Sequence, residues 1–252
     1  MYAAVNRRVF VASVAAGIPT LAGAAYGPRA LAHGGRDHAP TGGKADAVLD
    51  HVVRELAVIH SRGKQRGFTG EDARAIAAQL RMAAVRGAQI DLDATARAEM
   101  EQLIRRRGRE AVLAIDIDKA KTTAHLKRYG IEVDDRSFAM ELPDPATRRK
   151  ALEVLISGGV TDVLTHTAGV FEQTGSVIDA HAATVMRARH AQGDPLAWAS
   201  FCWGLLTEVM VLMAQLGPIC EASGTVPGLD IVCSALQATL SAYFGIYYAY
   251  CA

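Results

Sequence analysis

The sequence predicts an all-α protein, a multi-helix bundle around a C-terminal disulfide-linked hydrophobic helical hairpin. Three observations carry this. Half of the residues are hydrophobic and only 6% aromatic, with Ala and Leu recurring where a strand would alternate Val, Ile and Thr. The stretch from Asp194 to Ala252 holds all four cysteines and both tryptophans, and no Lys or Arg. The third observation is how those cysteines are spaced.

Cys202 to Cys220 is a step of 18 residues, and Cys233 to Cys251 repeats it. Eighteen residues make about five helical turns, so each pair lies on one face of its helix. The pairs 202/251 and 220/233 also share one midpoint, between Val226 and Pro227. Antiparallel helices joined near Ser223–Leu229 therefore bring Cys220 level with Cys233 and Cys202 level with Cys251. A bridge along one helix would have to cover about 27 Å of rise, against the roughly 4.4–6.8 Å Cα separation a disulfide tolerates. The crossed pairing needs parallel helices, which a short turn cannot give. Of the three connectivities four cysteines allow, one survives.

The elements follow in order. Lys44 to Arg62 carries Val48, Val52, Leu56 and Ile59 at helical spacing and should stop at Gly63. Thr69-Gly-Glu-Asp72 reads as a cap before Ile76, Leu80 and Val85, with an end at Gly87. Asp91 or Asp93 opens a helix through Met100, Leu103 and Ile104, whose last turn, Arg105–Arg107, suits the negative end of the helix dipole. Arg109 to Tyr129 reads as a single helix closed by Gly130. A linker with a short extended piece is expected over 131–143. Asp144-Pro145 starts the next helix, which runs to Ile156 and breaks at Gly158-Gly159. Thr161 should cap a helix to about Gln173, and Gly175 or Ser176 should begin another to about His190. Gln192-Gly-Asp-Pro195 separates these from the hairpin, with Asp194 as the cap. Gly217-Pro218 should end its first helix, and Leu229 to Cys251 forms its second.

The N-terminus reads Asn6-Arg7-Arg8-Val9-Phe10 before an apolar run to Ala25. This resembles a twin-arginine export signal, and Ala30-Leu31-Ala32 has the form of a cleavage site. The expected organisation is thus a leader over 1–32, a flexible tail over 33–43 and a helical domain over 44–252. That domain comprises amphipathic helices (44–130), the linker (131–143), further helices (144–193) and the hairpin (194–252). Export to the periplasm or beyond means an oxidising compartment, where an even cysteine count favours disulfides.

Pro195–Leu216 carries one charge, Glu208, and Ile231–Ala252 carries none. Each is long enough to cross a bilayer. The hairpin is therefore the buried centre of the bundle, a two-span membrane anchor, or a sheltered element that opens and inserts. Spanning would leave one cysteine pair in the reducing cytoplasm, and the flanks lack the Lys and Arg that cytoplasmic loops carry. Burial is the favoured reading. Glu208 and Gln237 then need polar partners inside the bundle. The hairpin also offers an apolar surface to a membrane or a protein partner.

A formal net charge of +1 excludes a dedicated nucleic-acid binder. Among eight histidines, His51 with Glu55 and Asp162 with His166 stand four apart on one helix face, and Asp118 with His125 stand seven apart. Helical bundles build metal sites from such inward pairs. These six residues are the candidate metal ligands, although Glu-x-x-His and His-Glu-x-x-His are both absent. No sequence signature marks a catalytic residue or an organic cofactor site. The expected function is that of an exported, non-enzymatic binding or structural protein. The alternatives are a helical metal-binding protein or metal-dependent enzyme, and a membrane-inserting hairpin protein.

Overall fold

The computed structural model describes residues 46–133, 143–187, 195–223, 226 and 228–251. The export signal, the tail and the cap at Asp194 lie outside these residues, as does most of the expected linker. Among the described residues there are nine helices and no strand. They are α1 (Ala47–Arg66), α2 (Gly70–Gln89), α3 (Leu92–Arg107), α4 (Arg109–Leu113), α5 (Lys119–Arg128), α6 (Pro145–Gly158), α7 (Val160–Arg187), α8 (Pro195–Ala222) and α9 (Leu229–Tyr250). The fold is the expected all-α bundle.

Both disulfides form as the spacing requires, Cys202 with Cys251 and Cys220 with Cys233, at Cα separations of 5.6 and 5.2 Å. They staple α8 to α9. Helix α9 is the centre: Ile231 to Phe244 is buried without a break, and α8, α1 and α5 all pack on it. A strongly apolar helix must be covered, and from Ile231 to Phe244 this one is. Outside this centre, α2 and α7 form the most extensive helix pair. Small residues, Ala73, Ala77 and Ala84 on α2 and Ala168 on α7, are buried, and Gly70 and Gly175 let the two backbones approach closely.

Local starts follow the sequence closely. The Thr69 hydroxyl accepts the Asp72 N–H at 3.2 Å while the Asp72 carboxylate accepts the Thr69 N–H at 3.0 Å, a complete capping box. That carboxylate is fully buried, yet Arg62 and Arg66 both reach it. Burial pushes the Asp72 pKa up, but the Thr69 hydrogen bonds and the Arg62 charge outweigh it and the net shift is downward. Asp144 accepts the Ala146 and Thr147 N–H groups and Pro145 occupies the first turn of α6.

Four expectations are corrected. Helix α1 does not stop at Gly63 but runs on to Arg66, and Gly63 is the place where the Phe68 ring lies flush on the helix. The segment 109–129 is two helices: the Asp118 carboxylate accepts the Lys121 N–H at 3.0 Å and starts α5, leaving 114–118 outside either helix. Conversely, α7 passes unbroken through Gly175. A Cβ there would stand 2.6 Å from the Gly70 carbonyl oxygen, so this glycine serves a close helix crossing and not a stop. Finally, α8 continues through Gly217-Pro218 to Ala222. Pro218 forfeits one backbone hydrogen bond, but Leu216 and Ile219 are fully buried on either side and Cys220 is tied to α9.

Candidate functional site

Helix α9 is apolar but carries a polar seam. Ser234, Gln237 and Ser241 stand at offsets of three and seven, hence on one face, and all three are buried. Each meets a side chain from a neighbouring helix. Ser234 pairs with His125 of α5, Gln237 Nε2 donates to the Thr122 hydroxyl at 2.9 Å, and Ser241 Oγ lies 2.9 Å from His60 Nε2 of α1. The seam fixes the axial register of α9 against α1 and α5, because one helical slip would strand every partner.

At its Ser241 end the seam opens into a cleft of about 230 Å³. One wall is a single face of α1, His60, Gly63 and Lys64, continued by Gly67 just past its end. The other is Ser241, Gly245 and Tyr248 of α9. Phe68 forms the floor, wedged between two glycines: a Cβ on Gly245 would approach its ring to 2.5 Å, and Gly63 is equally tight. The Tyr250 hydroxyl donates to the Phe68 carbonyl at 2.6 Å and holds this turn in place.

The polar groups of the cleft differ in charge. Burial, reinforced by the Lys64 ammonium, lowers the His60 pKa to about 4, so its imidazole is neutral at pH 7. Lys64 donates to the Glu132 backbone carbonyl at 3.0 Å, and no carboxylate among the described residues forms an ion pair with it.

The six candidate metal ligands are not gathered into a site. Among the described residues no three His, Cys, Asp or Glu side chains group to hold a metal ion. His51 is exposed and Glu55 half-buried on α1. Asp162 and His166 are exposed on α7, where His166 Nε2 lies 3.0 Å from a Glu208 carboxylate oxygen. That hydrogen bond raises the His166 pKa, against burial. The Asp162 carboxyl is raised by burial and then by the Asp93 charge. Asp118 caps α5. His125 joins the seam, with its pKa lowered first by burial and then by Arg128. The expectation that Glu208 and Gln237 find polar partners inside the bundle holds only in part: Glu208 is half-buried and pairs with the exposed His166, and Gln237 donates to Thr122 while its Oε1 is buried without a hydrogen-bond partner.

Sequence reasoning missed His60, Lys64, Phe68, Ser241 and Tyr248. The available signal was three glycines, Gly63, Gly67 and Gly245, in or beside strongly helical segments, where glycine marks a close approach. Comparison with known proteins adds no further lead: the chain matches no protein-family model, no curated protein and no solved structure.

Proposed function

We propose that this chain is an exported, non-enzymatic binding protein whose ligand enters the cleft between α1 and α9. The observation that carries the proposal is that cleft: two helix faces meet over an aromatic floor, with a polar pair inside and a cation at the rim. Export is supported by the twin-arginine-like leader and by two disulfides, which persist in oxidising compartments. Binding is favoured over catalysis for two reasons. No carboxylate among the described residues is bonded to His60 to orient it as a general base, and the same His–Ser pairing recurs at His125–Ser234, inside the seam. Such pairs serve packing.

A fragment screen by protein-observed NMR, following backbone amide shifts, tests the proposal. Ala249 lines the cleft and is exposed, so Ala249→Phe blocks the mouth without touching the core. Fragments should bind the wild-type protein, shift the His60, Lys64 and Tyr248 amides, and lose contact in Ala249→Phe. Binding that leaves those amides unmoved would dispose of the cleft.

A second reading rests on α8. The apolar window Trp198–Ala222 is only 39% buried, whereas that of α9 is 89% buried, and both helices are long and apolar enough to cross a membrane. A hairpin that opens into a bilayer fits this imbalance. Leakage from lipid vesicles that appears only after reduction of the two bridges would favour it.

A further inference from the structure

The cleft also specifies what it takes, and this step rests on the binding reading above. Size comes first. At about 230 Å³ the space falls below the roughly 300–1,000 Å³ of sites for drug-sized ligands, so the ligand is a small molecule. Charge comes second. Lys64 projects from an exposed position of α1 at the rim, and its one described hydrogen bond goes to a backbone carbonyl. Glu132 also lines the rim, but it gives Lys64 that carbonyl and the two side chains form no ion pair. An ammonium with free donors beside a partly desolvated cleft favours an anion.

Shape comes third. Beside Lys64 the cleft is lined by Phe68, Tyr248 and the bare backbone of Gly63 and Gly245. Glycine on both walls lets the Phe68 ring seat between them as a flat, apolar floor. His60 and Ser241 stand side by side at the inner end of the cleft, neutral and already bonded to each other. A second charge buried there would lack a partner and be costly. One anionic group on Lys64 and one uncharged body inside is the arrangement that suits the ammonium, the aromatic floor and the neutral inner pair.

We infer that the ligand is a small organic carboxylate, its anionic group held by Lys64 and its flat apolar body laid between Phe68 and Tyr248.

Three probes separate the two halves of this inference: benzoate has both parts, acetate lacks the ring, and benzyl alcohol lacks the charge. Each is titrated into the full mature protein while amide shifts are followed at 60–68 and 241–249. Benzoate should bind at least about tenfold more tightly than either of the others. Lys64→Gln should remove that advantage while the rest of the spectrum stays unchanged, and Lys64→Arg should retain it. Acetate binding as tightly as benzoate overturns the apolar floor. Benzyl alcohol binding as tightly in the cleft overturns the anion while leaving the binding reading intact. Silence from all three overturns the inference, and the fragment screen then decides the cleft on its own.

Discussion

Asp93 of α3 caps a helix that begins 67 residues further along the chain. Its Oδ1 accepts the Thr161 backbone N–H at 2.9 Å and its Oδ2 accepts the Thr161 hydroxyl, at a sequence separation of 68. An N-cap usually comes from the residue just before the helix. Here that residue is Gly159, at φ 92°, and the Asp93 carboxyl fills the space its Cβ would need. The first turn of α7 is thus closed by tertiary structure.

Asp93→Ala should therefore cost about 1–2 kcal/mol, the range for lost caps, measured by urea denaturation. Asp93→Asn keeps an acceptor and should cost less. It should also lower the Asp162 pKa, which burial and then the Asp93 charge hold up. An Asp93→Ala protein as stable as wild type would show that Thr161 is satisfied elsewhere.

His60 makes stability depend on pH. Its pKa is about 4 in the folded chain and about 6.5 when unfolded, so between those values the unfolded state binds the extra proton. Its contribution is therefore present in full above pH 6.5 and is lost as pH falls toward 4. The loss is on the order of 3 kcal/mol. His125 acts in the same direction, because its pKa is also lowered. The test is the difference between wild type and His60→Gln across pH 4–7. That difference should change with pH inside the window and flatten above it, and a constant difference would refute the assignment.

The two disulfides should not contribute equally. Cys202–Cys251 spans 49 positions and Cys220–Cys233 spans 13. In the chain-entropy account the restraint on the unfolded state grows with loop length, giving about 4 kcal/mol for the outer bridge and about 3 kcal/mol for the inner. Paired Cys→Ala variants, compared by equilibrium denaturation, should rank in that order. An inner pair that matters more would indicate that native-state packing around Gln237, whose Nε2 lies 3.5 Å from Cys220 Sγ, outweighs loop entropy.

The fold was legible where a signal was local or strictly periodic. The cysteine ladder, the Thr69–Asp72 box and Asp144-Pro145 each depend on residues within one turn or on one repeating step, and each appears as read. Three of the four misreadings share a different cause. Gly63, Gly175 and Gly217 look like stops but are places where another chain segment presses against a helix: the Phe68 ring, the Gly70 carbonyl and the Ile115 carbonyl. Those partners lie 5, 105 and 102 residues away in sequence, so only the Phe68 contact lay within reach of local reasoning. The candidate site failed similarly. His51 and Glu55 form a visible i,i+4 pair, whereas His60 acquires its meaning from Ser241 on α9, 181 positions on.

Two glycines on α7 sharpen that distinction into a measurement. At Gly175 an added Cβ meets the Gly70 carbonyl oxygen at 2.6 Å and the Arg74 side chain at 3.2 Å, while at Gly169 nothing lies within 4 Å. Both sit in one helix with ordinary helical backbone, so intrinsic propensity favours alanine equally at each, by about 0.5–1 kcal/mol. Only the tertiary term differs. Gly169→Ala should stabilise the protein by that amount. Gly175→Ala should destabilise it by about 1–3 kcal/mol, because backbone atoms on α2 cannot yield as a side chain would and the α2–α7 crossing must widen. Opposite signs from the same substitution, six residues apart on α7, would assign Gly175 to helix contact. Equal stabilisation by both variants would mean that α2 and α7 do not approach this closely in solution.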